Sequence, residues 1–231
     1  MIGILGGMGT QASLDFCNKL AMLNRGKIDQ KYPLFILYNK SNIPGRPENL
    51  HKYNKVLKSL NTGCLLLQKN KCKFIVIPCN TAHYWYDDLQ RKIKIPIVSM
   101  PKEVYLHVKK NCKKNSKIGI LATEATLKTR VYNKFFDKNF TLINPTKSLQ
   151  IKSVNIAIKY IKMGKIKDAA KVIKPAINYL IKLKCNKIIL GCTELPIAIF
   201  AFKSLKKAKQ SKIFIDPNLL LAEVSMKKYK K

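Results

Sequence analysis

The stretch IGILGGMGT, residues 2–10, recurs in altered form as IGILATEAT at residues 118–126. Each copy opens with Ile-Gly-Ile-Leu, which is typical of a buried parallel strand, and small residues then lead toward a helix. The two copies start 116 residues apart. A repeat at this distance predicts two similar α/β halves in one chain.

Two cysteine motifs repeat with nearly the same offset. Cys79 follows the apolar run FIVIP, and Cys192 follows IILG, 113 residues later. Each has a second cysteine seven positions earlier, Cys72 and Cys185. The matching order and spacing support the internal repeat and point to equivalent positions in the two halves.

Apolar runs and amphipathic patterns alternate along the chain, as in α/β proteins. We therefore predict two pseudo-symmetric α/β subdomains with mostly parallel sheets and an active site in the cleft between them. Residues 1–100 and 207–231 form the first, and residues 101–206 form the second, with the chain crossing near 100–116. The predicted strands are 34–38, 73–77, 97–98, 117–121, 187–190 and 213–214, and the predicted helices are 47–69, 147–163, 165–184 and 216–228.

Both motif cysteines follow a predicted strand, and open α/β sheets bind ligands beyond the carboxyl ends of their strands. The helix N-terminus expected after each would lower the pKa of the thiol and would also hold a carboxylate. Cys79 and Cys192 would then be able to handle a proton on opposite sides of one carbon. The other cysteines are interpreted as buried structural residues: Cys17, Cys64, Cys72, Cys112 and Cys185.

The spacing and number of the cysteines, together with the small number of histidines, argue against a metal centre and a disulfide framework. Seven residues of strand span about 23 Å, too far for Cys72 and Cys79 to share one ion. The chain has seven cysteines, an odd number, and three histidines. No apolar run approaches the ~20 residues of a membrane span. We expect a cytoplasmic protein with no metal and no cofactor.

The formal net charge of +33 raises the question of an anionic polymer as partner. The positive charge is almost entirely lysine, spread along the chain, and arginine, which reads phosphates and bases best, occurs four times. We interpret the charge as a solvated surface that attracts small anions, and we do not expect nucleic-acid binding.

Five motifs together resemble a known family. GGMGTQAS, IPGR, PCNTAH, ILATEAT and GCTELP resemble the cofactor-independent aspartate/glutamate racemase superfamily, closest to its aspartate racemase branch. The resemblance covers nearly the whole chain in the expected order. Glutamate racemases of cell-wall synthesis typically open with Asp-Ser-Gly and carry Gly-Cys-Thr-His, whereas this chain has GGMG and Glu194 at those places.

The resemblance implies racemisation by two cysteines without pyridoxal phosphate, in a homodimer. One cysteine removes the α-proton and the other supplies a proton to the opposite face. Aspartate is the first expected substrate and glutamate the second. His83 is interpreted as structural. The resemblance assigns catalysis to Cys79 and Cys192, and substrate binding to Met8, Arg46, Asn80, Thr81, Thr123, Lys162 and Thr193.

Two departures and two alternatives remain at this point. Thr10 stands where the family usually has proline, and Gly45 where it usually has aspartate. Thr123 has a simpler interpretation as a helix N-cap. A dicarboxylate isomerase or decarboxylase acting on maleate or a malonate would use a related site. A non-catalytic protein that binds acidic ligands or nucleic acid would account for the charge alone.

Overall fold

The computed structural model describes residues 1–24, 28–201 and 212–230. The chain divides into two compact units, Met1–Glu103 with Asn218–Lys231, and Val104–Pro217. Each unit contains one four-stranded parallel sheet flanked by helices. This confirms the predicted fold class of two similar, mostly parallel α/β subdomains.

The elements alternate along the chain much as the apolar pattern predicts. The strands are β1 Ile2–Gly6, β2 Phe35–Asn39, β3 Phe74–Val76, β4 Ile97–Val98, β5 Ser116–Ala122, β6 Phe140–Ile143, β7 Lys187–Gly191 and β8 Phe214–Ile215. The helices are α1 Thr10–Leu23, α2 Tyr53–Lys69, α3 Tyr86–Lys92, α4 Met100–Asn111, α5 Glu124–Lys128, α6 Lys147–Leu149, α7 Ile156–Lys162, α8 Ile166–Val172, α9 Lys174–Lys182, α10 Leu195–Ala201 and α11 Pro217–Tyr229. Short 3-10 turns at Asp29–Lys31, Leu50–Lys52 and Thr81–Trp85, and a π-helical turn at Gln150–Asn155, complete the described elements.

In the first unit the strand order is β2-β1-β3-β4. β1 is central, pairing in parallel with β2 and β3, and it is buried along its whole length. Ile2 and Ile4 pack in one apolar cluster with residues of α1 and α11, whereas Leu5 packs in another with residues of α2 and α3. This alternation of faces follows from the two-residue period of a strand, and it fixes β1 between two layers of helices.

The second unit repeats that strand order as β6-β5-β7-β8, all parallel. β5 is central and β7 carries Ile188 and Leu190 into one large apolar cluster with residues of α7 to α10. The same order in both sheets agrees with the internal repeat read from the sequence. It also brings the turn after β5 and the turn after β7 to neighbouring positions at one edge, because adjacent parallel strands end on the same side.

Several predicted boundaries differ from those observed. The predicted crossover at 100–116 is mostly helix α4. Strand β6 was not predicted, and the predicted helix 165–184 is divided into α8 and α9, with Pro175 in the first turn of α9. The predicted helix 147–163 contains the π-helical turn between α6 and α7.

The two compact units divide at Glu103–Val104 and at Pro217–Asn218, whereas the predicted subdomains are 1–100 with 207–231 and 101–206. The limit at 206–207 lies outside the described residues. Residues 212–217 lie in the second unit because β8 pairs with β7 there. Helix α11 packs against α1 of the first unit, and the Asn218 side chain donates to the Ala12 carbonyl at 2.9 Å. In the part of the chain that the structure describes, no helix is long and apolar enough to cross a membrane.

Candidate active site

In the first unit, the turn after β1 brings Met8 to the carboxyl edge of the sheet. Gly7 has φ of +89°, and a Cβ there would lie 2.4 Å from the carbonyl carbon of Lys40, so the turn needs glycine. Ser13 fixes the turn from α1, since its hydroxyl accepts from the Gly7 N–H at 3.1 Å and donates to the Gly9 carbonyl at 2.8 Å. Met8 itself is buried.

Arg46 lies against this turn. Its side chain is 9% exposed, and Nη2 donates to the Met8 carbonyl at 2.7 Å. Within the described ranges no carboxylate forms an ion pair with it, and its buried Nε has no hydrogen-bond partner. A buried charge without a counter-ion is costly, so this guanidinium is suited to an anionic ligand.

Cys79 lies in the turn that follows the neighbouring strand β3, three residues after that strand ends. Its side chain is buried, and its backbone N–H donates to the Ile77 carbonyl at 2.7 Å. Asn80 and Thr81 follow with buried side chains. The sequence predicts a helix start here, and the structure has a 3-10 turn, Thr81–Trp85, before α3 begins.

His83 connects the Cys79 turn to the start of α4. The Met100 N–H donates to His83 Nε2 at 3.0 Å, so Nε2 carries no proton and Nδ1–H donates to the Cys79 carbonyl at 2.9 Å. Burial lowers the pKa of His83, which favours this neutral imidazole. These contacts agree with the structural role expected of His83 and give it a specific task, which is to hold the Cys79 backbone.

In the second unit, Cys192 follows β7 directly and its carbonyl accepts from the Leu195 N–H at 3.0 Å as α10 begins. The Cys192 side chain is 6% exposed. Its Sγ–H donates to Glu194 Oε2 at 3.0 Å, and Glu194 is 5% exposed. Thr193, between them, is also buried.

The environment of Cys192 raises the pKa of its thiol well above the ordinary value. Burial is the largest cause, followed by the charge of Glu194 and by the hydrogen bond that the thiol donates to it. A backbone hydrogen bond and the positive charge of Lys162 act in the opposite direction. For Cys192 the expected lowering of the thiol pKa at a helix N-terminus is therefore wrong, because burial and a neighbouring carboxylate outweigh the helix.

Lys162 and Thr123 have different relations to this turn. Lys162 ends α7 with an exposed side chain, and its charge acts on the Cys192 thiol. Thr123 lies after β5, next to β7, and its hydroxyl accepts from the Thr126 N–H at 3.2 Å as the N-cap of α5. The simpler interpretation of Thr123 as a cap is thus observed, at the same edge of the sheet as Cys192.

Sequence reasoning assigned no role to two residues near Cys192. Glu194 is visible within the motif GCTELP, only two positions from the cysteine, but nothing in the sequence shows that its carboxylate reaches the sulfur. Tyr132 is buried, and its pKa is raised by burial and then by the charges of Asp216 and Cys192. No local pattern marks Tyr132, because tertiary packing alone brings it there.

Among residues 1–24, 28–201 and 212–230, no three metal-ligating side chains of His, Cys, Asp or Glu form a metal-binding group.

The sequence matches the profile of Asp/Glu/Hydantoin racemase over residues 5–224. The chain therefore belongs to the Asp/Glu/hydantoin racemase family, which confirms the resemblance read from its motifs.

Similar proteins include both curated sequences and a solved structure. The broad specificity amino-acid racemase RacX of Bacillus subtilis is 27% identical over 202 residues, covering 84% of this chain and 86% of that protein. A glutamate racemase of Sulfurihydrogenibium is 29% identical over 180 residues, covering 76% of this chain and 66% of that protein. The structure of Picrophilus torridus aspartate racemase superposes with a TM-score of 0.84 at 29% identity, covering 100% of this chain and 94% of that chain.

The His83 hydrogen bonds predict a specific dependence of stability on pH. Because the folded pKa is lowered, the unfolded chain takes up a proton first, below about pH 6.5. The stability that neutral His83 contributes is fully present above that pH and is lost as the pH falls toward the lowered folded pKa. His83→Asn leaves the Met100 N–H without an acceptor, which costs about 1–3 kcal/mol at pH 8.

We expect the difference in melting temperature between the wild type and His83→Asn to be largest at pH 8 and to narrow toward pH 5. Thermal unfolding followed by circular dichroism across this range measures it. His51→Asn, at an exposed histidine, is the matched control and should change the melting temperature little. A difference for His83→Asn that stays constant with pH would contradict the assignment of a neutral, buried imidazole.

Proposed function

We propose that this chain is a cofactor-independent racemase of acidic amino acids, with aspartate as the first substrate and glutamate as the second. The observation that carries the proposal is the pair of equivalent turns, each presenting a buried cysteine after a strand of a parallel sheet, in a chain of the Asp/Glu/hydantoin racemase family. One base comes from each unit, Cys79 from the first and Cys192 from the second.

The reaction transfers one proton off the α-carbon and another onto it. A thiolate removes the α-proton, so that the C–H bond breaks, an S–H bond forms and the electron pair is delocalised into the α-carboxylate. The second thiol then gives its proton to the opposite face, and its sulfur becomes the thiolate. Each sulfur must approach the α-carbon to about 3–3.5 Å for this transfer. No pyridoxal phosphate takes part.

Polar groups beside each cysteine support the charge that develops on the substrate. We assign Asn80, Thr81 and Thr193 to the α-carboxylate and ammonium group, because they adjoin the two sulfurs in sequence and are buried. Donors fixed by the fold stabilise the carboxylate's growing negative charge without reorganising during the reaction. Met8 and Thr123 flank the substrate at the turns after β1 and β5.

The preference for an acidic substrate rests on Arg46. A buried guanidinium without a carboxylate partner in the described part of the chain favours a ligand that brings its own carboxylate. Lys162, whose charge reaches Cys192, is the second cation assigned to the substrate. Because the Bacillus subtilis relative is named for broad specificity, kinetics on both acidic and neutral amino acids test this preference.

The two-cysteine mechanism predicts a distinctive outcome for single substitutions. In Cys79→Ala and in Cys192→Ala, racemisation of aspartate should fall about 10²-fold or more, because one proton-transfer group is missing. The remaining cysteine still faces one side of the α-carbon. Each variant should therefore exchange the α-proton of one enantiomer with deuterium oxide without inverting it, and the two variants should exchange opposite enantiomers.

Proton NMR in deuterium oxide with chiral chromatography measures exchange and inversion separately. Cys112→Ala is the control, since Cys112 is half-buried and lies outside both motifs. If the wild type exchanges neither enantiomer of aspartate or glutamate, the chain is not a racemase of these substrates. If both single variants exchange the same enantiomer, the assignment of the two cysteines to opposite faces is wrong.

Substitution of Arg46 tests the substrate class. Arg46→Met should raise the KM for aspartate about 10–100-fold, which corresponds to the loss of roughly 1.5–3 kcal/mol of charge-assisted hydrogen bonding. A substrate without a distal carboxylate, such as alanine, should be affected much less. Steady-state kinetics on both amino acids gives the comparison.

Arg91→Met is the matched control, because Arg91 is exposed and pairs with Asp88 on the surface. It should leave both KM values unchanged. An equal loss on aspartate and on alanine in Arg46→Met would mean that Arg46 acts only through the Met8 turn and does not bind the distal carboxylate.

We also propose that the protein forms a homodimer. Among the described residues β2 is an edge strand that pairs with β1, and exposed apolar side chains lie on it, before it and on α1. Leu34, just before β2, is 66% exposed, and Met22, Ile28 and Phe35 are exposed as well. Sedimentation equilibrium at micromolar concentration should give twice the mass of the chain, and Leu34→Lys should shift it toward the monomer. A wild type that sediments only as a monomer would contradict this proposal.

A further inference from the structure

One buried polar contact that the two-cysteine scheme does not use joins Cys192 to Glu194. The thiol proton lies between Sγ and Oε2, which are 3.0 Å apart, and both side chains are at least nine-tenths buried. Thr193 Oγ1 donates to the same carboxylate oxygen at 3.5 Å. The Cys192 thiol and the Thr193 hydroxyl therefore both donate hydrogen bonds to the Glu194 carboxylate within one short turn.

This contact creates a difficulty for Cys192 as a base. A thiolate 3.0 Å from an ionised carboxylate would place two negative charges together in a buried site, which is strongly disfavoured. The positive charge of Lys162 acts in the opposite direction, but its side chain is exposed, so it offsets only part of this repulsion. Burial, and then the charges of Asp216 and Cys192, raise the pKa of Tyr132, so its hydroxyl is neutral at physiological pH. The turn is therefore built to carry one negative charge at a time.

We propose that Glu194 is the proton acceptor and donor for Cys192, so that the two residues form a thiol–carboxylate pair with one shared proton. This inference rests on the proposed racemase function. When Cys192 acts as base, its proton moves to Glu194 Oε2 and the resulting thiolate removes the α-proton. Cys79 then supplies the proton on the opposite face.

The protons balance over the cycle. At the start Glu194 is ionised and both cysteines are thiols. At the end Glu194 is a carboxylic acid, Cys192 is again a thiol and Cys79 is the thiolate. In the opposite direction Cys79 removes the α-proton, Cys192 gives its proton to the substrate, and Glu194 returns a proton to the Cys192 sulfur. The enzyme forms that start the two directions contain the same number of protons. The enzyme therefore needs no net gain or loss of a proton to act on either enantiomer.

Glu194→Gln tests the pair, because an amide keeps the size of the side chain but cannot accept the thiol proton. We expect the rate of racemisation to fall about 10²-fold in both directions. Glu194→Asp, which keeps a carboxylate, should retain more activity than Glu194→Gln. Asp168→Asn removes an exposed carboxylate from α8 and is the control, with activity expected to be unchanged. Circular dichroism verifies that each variant is folded.

A titration of the thiol gives a second readout that a merely structural role of Glu194 would not produce. The ultraviolet absorbance of the thiolate is followed against pH for the wild type and for Cys192→Ser, and their difference isolates Cys192. The same difference is taken for Glu194→Gln with and without Cys192→Ser. Because glutamine carries no charge and can donate to the sulfur, Cys192 should ionise at clearly lower pH in the Glu194→Gln background.

The two readouts separate the possible results. A lower ionisation pH together with reduced racemisation in both directions supports the pair. If the wild type racemises and Glu194→Gln retains its full rate, or if the ionisation of Cys192 does not move, the proposal is wrong. If the wild type shows no racemisation, the proposed function fails, while the titration still reports whether Glu194 controls the Cys192 proton.

Discussion

β1 and β5 are each hydrogen-bonded to parallel strands on both sides and are buried almost along their whole lengths, so the chain can leave them only at the carboxyl edge of the sheet. Their neighbours β3 and β7 end at the same edges for the same reason. The residues assigned to the substrate therefore gather in each unit at one edge, although they are far apart in the chain. Helices packed on the sheets stabilise this arrangement, and two of them add polar groups to it, Ser13 from α1 and Lys162 from α7.

Within that framework the chemistry depends on local charges and not on the net charge of the chain. Exposed charges farther away than about 8 Å are largely screened at physiological salt. Buried neighbours are screened much less, so the buried carboxylate of Glu194 acts on the Cys192 thiol more strongly than the exposed Lys162 does. Arg46 differs in that it is a buried cation with which no carboxylate of the described residues forms an ion pair. The lysine-rich surface would raise the local concentration of an acidic substrate without choosing it.

The sequence was sufficient for the features that depend on local pattern. The repeat of Ile-Gly-Ile-Leu and the cysteine spacing predicted two parallel α/β units and the position of each cysteine after a strand. It was insufficient where distant residues meet. Strand β6 has only the short run Phe140–Ile143 to mark it. The 3-10 turn after Cys79 places His83 against the Met100 N–H, and the Cys192 thiol donates to Glu194, and no local pattern shows either contact. The general rule that a helix N-terminus lowers a thiol pKa therefore failed at Cys192, where burial and one carboxylate are stronger.

The two units thus have the same strand order but give their cysteines different partners. In the first, neutral His83 holds the backbone carbonyl of Cys79; in the second, the carboxylate of Glu194 holds the sulfur of Cys192. Such asymmetry is compatible with racemisation. The two enantiomers have equal free energies in solution, so kcat/KM must be the same for both directions whatever the site contains. Unequal thiols can change how tightly each enantiomer binds and how the bound states are protonated. The values of kcat and KM can then differ between the enantiomers, but both must change by the same factor. A chain with two units of the same strand order can therefore use two chemically different bases for a reaction whose substrate and product are enantiomers.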